Sequence, residues 1–327
     1  MKKMIALSVA ALMAVSLAGC GAIHRGVEKV LGMADASKVP SASTSAPTAH
    51  TPDKSDDADK PDDADKPSQS KTPTGDSELG FTVEEAVLVD QNDVKITLTG
   101  VESSFSGPDF KMLVENNRDE LITVQVRNAS VNGIMVDPVC STDVSSGKKT
   151  NDTIGFWDWD LEAAGIQTIG QFEFEFLIFN EDTFDDIFQT DPITIRTSAD
   201  GTFEQAFDEN GTVVHDADGL QIVVQRLMPQ DEDDADTEVL VYIRNDSDRD
   251  ITVMVEEASV EGYTVDPAFS CDVMAGKRAY PLLRVDQDDL ESNGLSALTS
   301  LSVSFDIADM DSWETIVTTK ETEISFE

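Results

Sequence analysis

Few side chains in this chain are of a type that does covalent or acid–base chemistry. It has three histidines and three cysteines among 327 residues. His24 and His50 lie in a stretch poor in apolar residues, so only His215 falls in a patterned region. A Ser-His-Asp or Cys-His nucleophile would have to be built around His215, and no partner motif accompanies it. The sequence shows no zinc spacing, no phosphate-cradling glycine loop and no dinucleotide fingerprint. These features predict a protein that is not an enzyme and carries no cofactor. For metals, "DADG" (Asp216–Gly219) starts like a calcium loop but lacks the later ligands and the closing Glu. A hairpin turn is the better reading of it. The acidic run "DEDDAD" (Asp231–Asp236) reads as a solvated loop that would hold Ca2+ weakly at most. Cys140 and Cys271 occupy nearly equivalent places in a repeat. Tandem modules hold such places beyond the ~6 Å Cα separation of a disulfide unless they pack face to face, so two separate buried thiols are expected.

"GFWDWDL" (Gly155–Leu161) is the sharpest recognition feature. Ile154 and Phe156 have the parity of core residues. Trp157 and Trp159 have the opposite parity, and the repeat places Asp286 and Asp288 there. Two readings follow. The rings cover a junction or a neighbouring loop, or they form a platform for an extracellular protein or glycan.

The third cysteine belongs to a different chemistry. "MKKMIALSVAALMAVSLAGC" starts with Lys2 and Lys3, continues with an apolar run to Leu17, and ends in "LAGC" (Leu17–Cys20). The run is short for a membrane span and its flanks are those of a signal peptide. "LAGC" resembles the lipobox of bacterial lipoproteins. The resemblance implies cleavage before Cys20 and a diacylglycerol on its thiol. Residues 1–19 are then a leader, and the mature chain is anchored on the extracytoplasmic face of the cell membrane through Cys20.

The formal net charge is −41. That sign repels nucleic acid and anionic headgroups, so a nucleic-acid partner is excluded. Residues 20–80 are rich in Ser, Thr, Pro, Ala, Asp and Lys and contain "DDADKP" twice in tandem. Such a segment cannot bury enough surface to offset ordering, and it reads as a disordered tether. About 60 residues of flexible coil span on the order of 45 Å.

From Phe81 onward apolar residues alternate, β-branched residues are frequent and turn signals recur, which predicts an all-β chain. The chain also repeats itself. Lys111–Ser198 lies on Leu240–Glu327 without a gap, and roughly half the positions between Asn116 and Lys148 are identical. Two modules follow, residues 81–200 and 201–327, each large enough for its own core. "ASVNGIMVDP" (Ala129–Pro138) and "ASVEGYTVDP" (Ala258–Pro267) read as the same hairpin written twice. Asn132-Gly133 is a favoured type I′ pair, and Glu261-Gly262 is a weaker one. "FEFEFLI" (Phe172–Ile178) and "LSVSFDI" (Leu301–Ile307) share one parity, which puts Phe172, Phe174 and Phe176 in a core. The second copy is expected to turn Ser302, Ser304 and Asp306 outward. "DLEAAGI" and "DLESNGL" read as short helical turns ended by Gly165 and Gly294.

"NNRDELITVQVRNASVNGIMVDPVCSTDVSSGKKTNDTI", with its counterpart in the second copy, resembles a module of uncharacterised Gram-positive surface lipoproteins. Its signature is an Asn-rich turn between strands, here Asn116–Asp119 and Asn245–Asp248. The resemblance implies two tandem immunoglobulin-like β-sandwich modules at the cell surface, and it carries no catalytic residues. The leading expectation is binding or adhesion. The alternative is a ligand-capture lipoprotein of an envelope transport system, with Ca2+ as one ligand.

Overall fold

The computed structural model describes residues 79–229 and 236–326. The expected leader, Cys20, residues 20–78 of the expected tether and most of "DEDDAD" lie outside the described residues.

The first repeat contributes ten strands. These are β1 (Ala86–Gln91), β2 (Val94–Ser103), β3 (Pro108–Asn116), β4 (Ile122–Val131) and β5 (Ile134–Met135). After them come β6 (Ser141–Val144), β7 (Lys149–Gly155), β8 (Gln171–Asn180), β9 (Asp186–Gln189) and β10 (Ile193–Arg196). The second repeat runs through β11 (Thr212–Ala217), β12 (Leu220–Leu227), β13 (Thr237–Asn245), β14 (Ile251–Val260) and β15 (Tyr263–Thr264). It ends with β16 (Ser270–Val273), β17 (Arg278–Ala279), β18 (Leu282–Val285), β19 (Ser300–Asp309), β20 (Thr315–Thr318) and β21 (Thr322–Ser325). One short helix, Asp158–Ala163, precedes β8, and another, Gln287–Ser292, precedes β19. The chain is therefore mostly β, as its alternation predicts.

The strands form three sheets among the described residues. The order β1-β2-β3-β7 makes one, and β15-β14-β19-β20 with β16 and β21 makes another. The third runs β10-β8-β4-β5-β17-β13-β12-β11, so it passes from the first repeat into the second. The crossing is a parallel pairing of Arg278 with Ile134, in which the Arg278 N–H donates to the Gly133 carbonyl at 3.0 Å.

Two apolar clusters follow the repeats. In the first, Phe172, Phe174 and Phe176 are buried, as their parity requires, and Phe110 meets Phe172 across the facing sheets at 5.4 Å. Each such ring contributes roughly 1.5–3 kcal/mol by leaving water. In the second, Leu301, Val303, Phe305 and Ile307 fill the same places. Ser304 departs from the expectation. It is buried rather than outward, paired in register with Glu257 across the β14–β19 ladder.

Local signals behave as expected. Asn132 and Gly133 have φ of 52° and 84°, and Glu261 and Gly262 have 51° and 83°. Both hairpins thus take the I′ geometry, although glutamate is a poor residue for it. Each helix ends in a Schellman motif. Gly165 N–H donates to the Glu162 carbonyl and Ile166 N–H to the Leu161 carbonyl; Gly294 and Leu295 do the same to Glu291 and Leu290.

The Asn-rich turns have a physical explanation. Asn116 and Asn245 are wholly buried. The Asn245 amide donates to the Arg249 and Val273 carbonyls, both at 2.8 Å, and its oxygen accepts from the Ser247 N–H and hydroxyl. Asn116 donates to the Glu120 and Val144 carbonyls and accepts from the Arg118 N–H. One side chain closes the corner and satisfies buried backbone groups that would otherwise be orphaned.

Candidate functional site

The residues singled out as chemically capable do not converge. His215 sits half-buried on the edge strand β11, opposite Ile222 in register. In "DADG", Asp218 and Gly219 have φ of 53° and 81°, so this is a hairpin turn, and Asp216 accepts from the Arg244 guanidinium at 3.2 Å. Cys140 and Cys271 are not joined in a disulfide; Cys271 is buried as expected, whereas Cys140 is only half-buried. Burial pushes the Cys140 thiol up to about 12, so it stays protonated and unreactive near neutral pH.

Trp157 and Trp159 are half-buried rather than fully exposed. Strand parity does not apply to them, because β7 ends at Gly155 and a helix follows. Trp157 is the N-cap of that helix and offers no side-chain cap. Asp286, its counterpart, caps the second helix by accepting from the Asp288 N–H at 2.8 Å. An Asp N-cap stabilises a helix by about 1 kcal/mol, so the first copy forgoes that contribution in favour of an aromatic ring. Trp157 meets Phe105 edge-on at 6.4 Å, and Phe105 is 95% exposed. The loop carrying Phe105 is held down by the Asp158 N–H, which donates to the Ser106 carbonyl at 2.7 Å. A Cβ on Gly107 would lie 2.6 Å from the Phe156 carbonyl oxygen, so that close approach requires glycine.

A second pair of aromatics was not singled out by patterning. Phe184, at the β8–β9 turn, is 73% exposed, and Trp313, at the equivalent β19–β20 turn, is 60% exposed. Both have left-handed backbones, with φ of 60° and 58°. Bulky side chains rarely adopt this conformation, which costs roughly 1–2 kcal/mol. Both turns are clamped from below. The Asn180 side-chain Oδ1 accepts from the Asp182 and Thr183 N–H groups, and the Asp309 side chain accepts from the Ser312 N–H and hydroxyl. Aligning the two copies puts Phe184 on Trp313, and that coincidence is the signal in the sequence that reveals them.

The hairpins differ in what covers them. In the first repeat Ile134 is wholly buried, and Met135 packs against the core of the second repeat. Lys277 pairs with Glu173, the Arg278 guanidinium lies 5.3 Å over the Phe207 ring, and Asn132 donates to Gln205 at 3.1 Å. Asp137 lies in this joint. Burial and then the nearby Asp272 push its carboxyl up to about 7, and its Oδ2 is buried with no hydrogen-bond partner among the described residues. Asp272, itself raised by burial, accepts from the Thr252 hydroxyl at 2.6 Å. In the second repeat the whole turn Glu261–Thr264 is exposed, and so is Asp266, the counterpart of Asp137. Beside it is an open groove of about 640 Å³, bordered by Glu256, Glu257, Thr264, Asp266, Pro267 and Glu321.

No protein-family model matches the chain, and no curated protein matches it. Among solved structures, it is similar to a protein of unknown function from Porphyromonas gingivalis W83 at 12% identity. That match covers 74% of this chain and 96% of the other, with a TM-score of 0.20.

Proposed function

We propose that the chain is a non-catalytic lipoprotein of the cell membrane, anchored on the extracytoplasmic face through Cys20, that binds or adheres through two immunoglobulin-like modules. The observation that carries this reading is the paired exposure of Phe184 and Trp313 at equivalent, strained turns. Phe184 stacks on Phe179 at 6.3 Å yet remains largely exposed, and strain of this kind gathers at binding surfaces. Phe105 with Trp157, next to Trp159, is a third aromatic surface, on the first module alone. The partner is an extracellular protein or glycan that stacks on these rings.

Two experiments test this. Cys20→Ala should move the protein from the membrane fraction to the soluble one; a variant that stays fully membrane-bound removes the anchor reading. The same unlipidated chain is screened against wall glycans, host glycoproteins and Ca2+. Phe184→Gly with Trp313→Gly should abolish any binding found. It should leave the melting temperature unchanged or a few degrees higher, since glycine relieves the left-handed strain. Binding that survives this pair and also survives Trp157→Ala with Trp159→Ala sinks the aromatic-surface reading.

A further inference from the structure

We infer that this chain associates head to tail with further copies of itself, using a second, unfilled version of the joint between its own repeats. Both halves of that joint occur twice in one chain. The filled version sets the hairpin Asn132–Met135 against the strand edge at Lys277–Ala279. The repeat carries the hairpin to Glu261–Thr264 and the edge to Lys148–Thr150. The filled elements are covered, with Ile134 and Ala279 buried and Lys277 and Arg278 half-buried. Their unfilled counterparts are bare: Tyr263 is 48% exposed, and Lys148 and Lys149 are exposed.

The backbone is already arranged for the contact. β7 is the terminal strand of its sheet, as the order β1-β2-β3-β7 shows. Lys149 is paired inward with Glu115, as Arg278 is paired inward with Arg244. Arg278 uses its outward N–H to reach the Gly133 carbonyl, so the equivalent outward N–H is that of Lys149. One side of the open groove near Tyr263 corresponds to surface that is half-buried in the filled joint: Met135, Asp137 and Pro138 map onto Thr264, Asp266 and Pro267, whereas the Glu256 and Glu321 side maps onto the exposed Arg127 and Pro192. Charge favours the same occupant. The groove carries Glu256, Glu257, Asp266 and Glu321, and the free edge carries Lys148 and Lys149 in a chain with few basic residues. The Lys277–Glu173 pair has a rearranged equivalent. Position 173 becomes Ser302, and its cross-strand neighbour becomes the exposed Glu323.

The two surfaces are different and lie on one chain, so the contact is heterologous and does not close on itself as a two-fold dimer does. The side chains also set its strength. Ile134, Met135 and Ala279 are replaced by Tyr263, Thr264 and Thr150, so less apolar surface is available than in the filled joint. Free in solution the association is weak, with a Kd on the order of 0.1–1 mM.

The test uses the full chain with Cys20→Ala, so that no lipid contributes, followed by sedimentation up to about 1 mM at 0.15 M salt, where the Debye length is about 8 Å. The expected result is a mass that rises with concentration without a plateau at the dimer. Tyr263→Lys with Thr264→Lys disables one surface, and Lys148→Glu with Lys149→Glu disables the other. Each variant alone should remain monomeric and folded, because all four positions are exposed. The Tyr263 and Thr264 pair should keep the wild-type melting temperature, while Lys149→Glu, which also breaks the Lys149–Glu115 ion pair, lowers it by a few degrees at most. Tyr263→Ile, Thr264→Met and Ser302→Glu together rebuild the internal joint and should lower Kd by about tenfold or more. The inference is overturned if the wild type and the rebuilt variant both stay monomeric. It is equally overturned if association stops at a two-fold dimer or persists in both disabled variants. That last result would leave the groove to another occupant, such as the chain's own N-terminal segment.

Discussion

Asn245→Asp is expected to cost the second repeat about 3–5 kcal/mol at neutral pH, a drop of roughly 10 °C or more in melting temperature. The substitution changes one atom. It replaces an amide that donates to the Arg249 and Val273 carbonyls with an anion facing the same two oxygens in a wholly buried corner. Two hydrogen bonds are lost, the buried Val273 carbonyl loses its side-chain donor, and a charge is buried without a counter-ion. The cost has a pH signature. Burial raises the new carboxyl above its unfolded value, so the variant recovers stability as pH falls towards that unfolded value, near 3.9. Thermal denaturation at pH 4 and pH 8 checks both points. Equal melting temperatures for variant and wild type at pH 8 would mean that the corner does not hold the fold. Asn116→Asp should behave in the same way, since its amide also closes onto two carbonyls.

Asp137→Asn should act in the opposite direction. Asp137 is pushed up to about 7, first by burial and then by Asp272. A carboxyl raised from 3.8 to about 7 holds its proton in the folded state while the unfolded chain releases it. Its neutral form is therefore fully compatible with the fold at or below pH 3.8. The stability it allows is lost progressively as pH rises from about 3.8 to about 7, and no more is lost above that. The Asn variant cannot ionise and escapes this loss. The two proteins should match near pH 4, and the variant should be more stable by about 2–4 kcal/mol at pH 8. Comparing difference curves removes the general effect of the chain's large negative charge, which both proteins share. A difference that does not change between pH 4 and pH 8 would mean that Asp137 is solvated and that the joint is open.

The repeat made much of this fold readable without coordinates. Parity in "FEFEFLI" and "LSVSFDI" located the core stripe, because a strand with one buried face has only one register that buries it. Asn-Gly and Glu-Gly located the hairpins, and Gly165 and Gly294 located the ends of the helices, because only certain residues tolerate a left-handed backbone cheaply. What was hidden depends on partners far away in sequence. The two copies of the "ASV…VDP" phrase are nearly identical, yet one is sealed and the other bare, because the second repeat packs on the first and nothing among the described residues packs on the second. Alternation does not report that difference. It also does not extend past Gly155: Trp157 and Trp159 continue the strand parity in sequence, but they flank and enter a helix. Phe184 and Trp313 were missed for a related reason. They sit in turns, where periodicity carries no information, and only the match between copies marks them.

The continuous sheet has a mechanical consequence. Within the described residues, the repeats share sheet through one parallel residue pair, Arg278 with Ile134, backed by the Lys277–Glu173 ion pair and the Met135 contact. Each repeat, by comparison, is laced by ladders such as β4–β8 and β14–β19, which run eight residue pairs each. A chain held at its N-terminal end and pulled from its far end therefore yields first at the joint. It lengthens by hinging there while both cores stay intact, and it recovers by re-docking a single hairpin rather than by refolding a repeat.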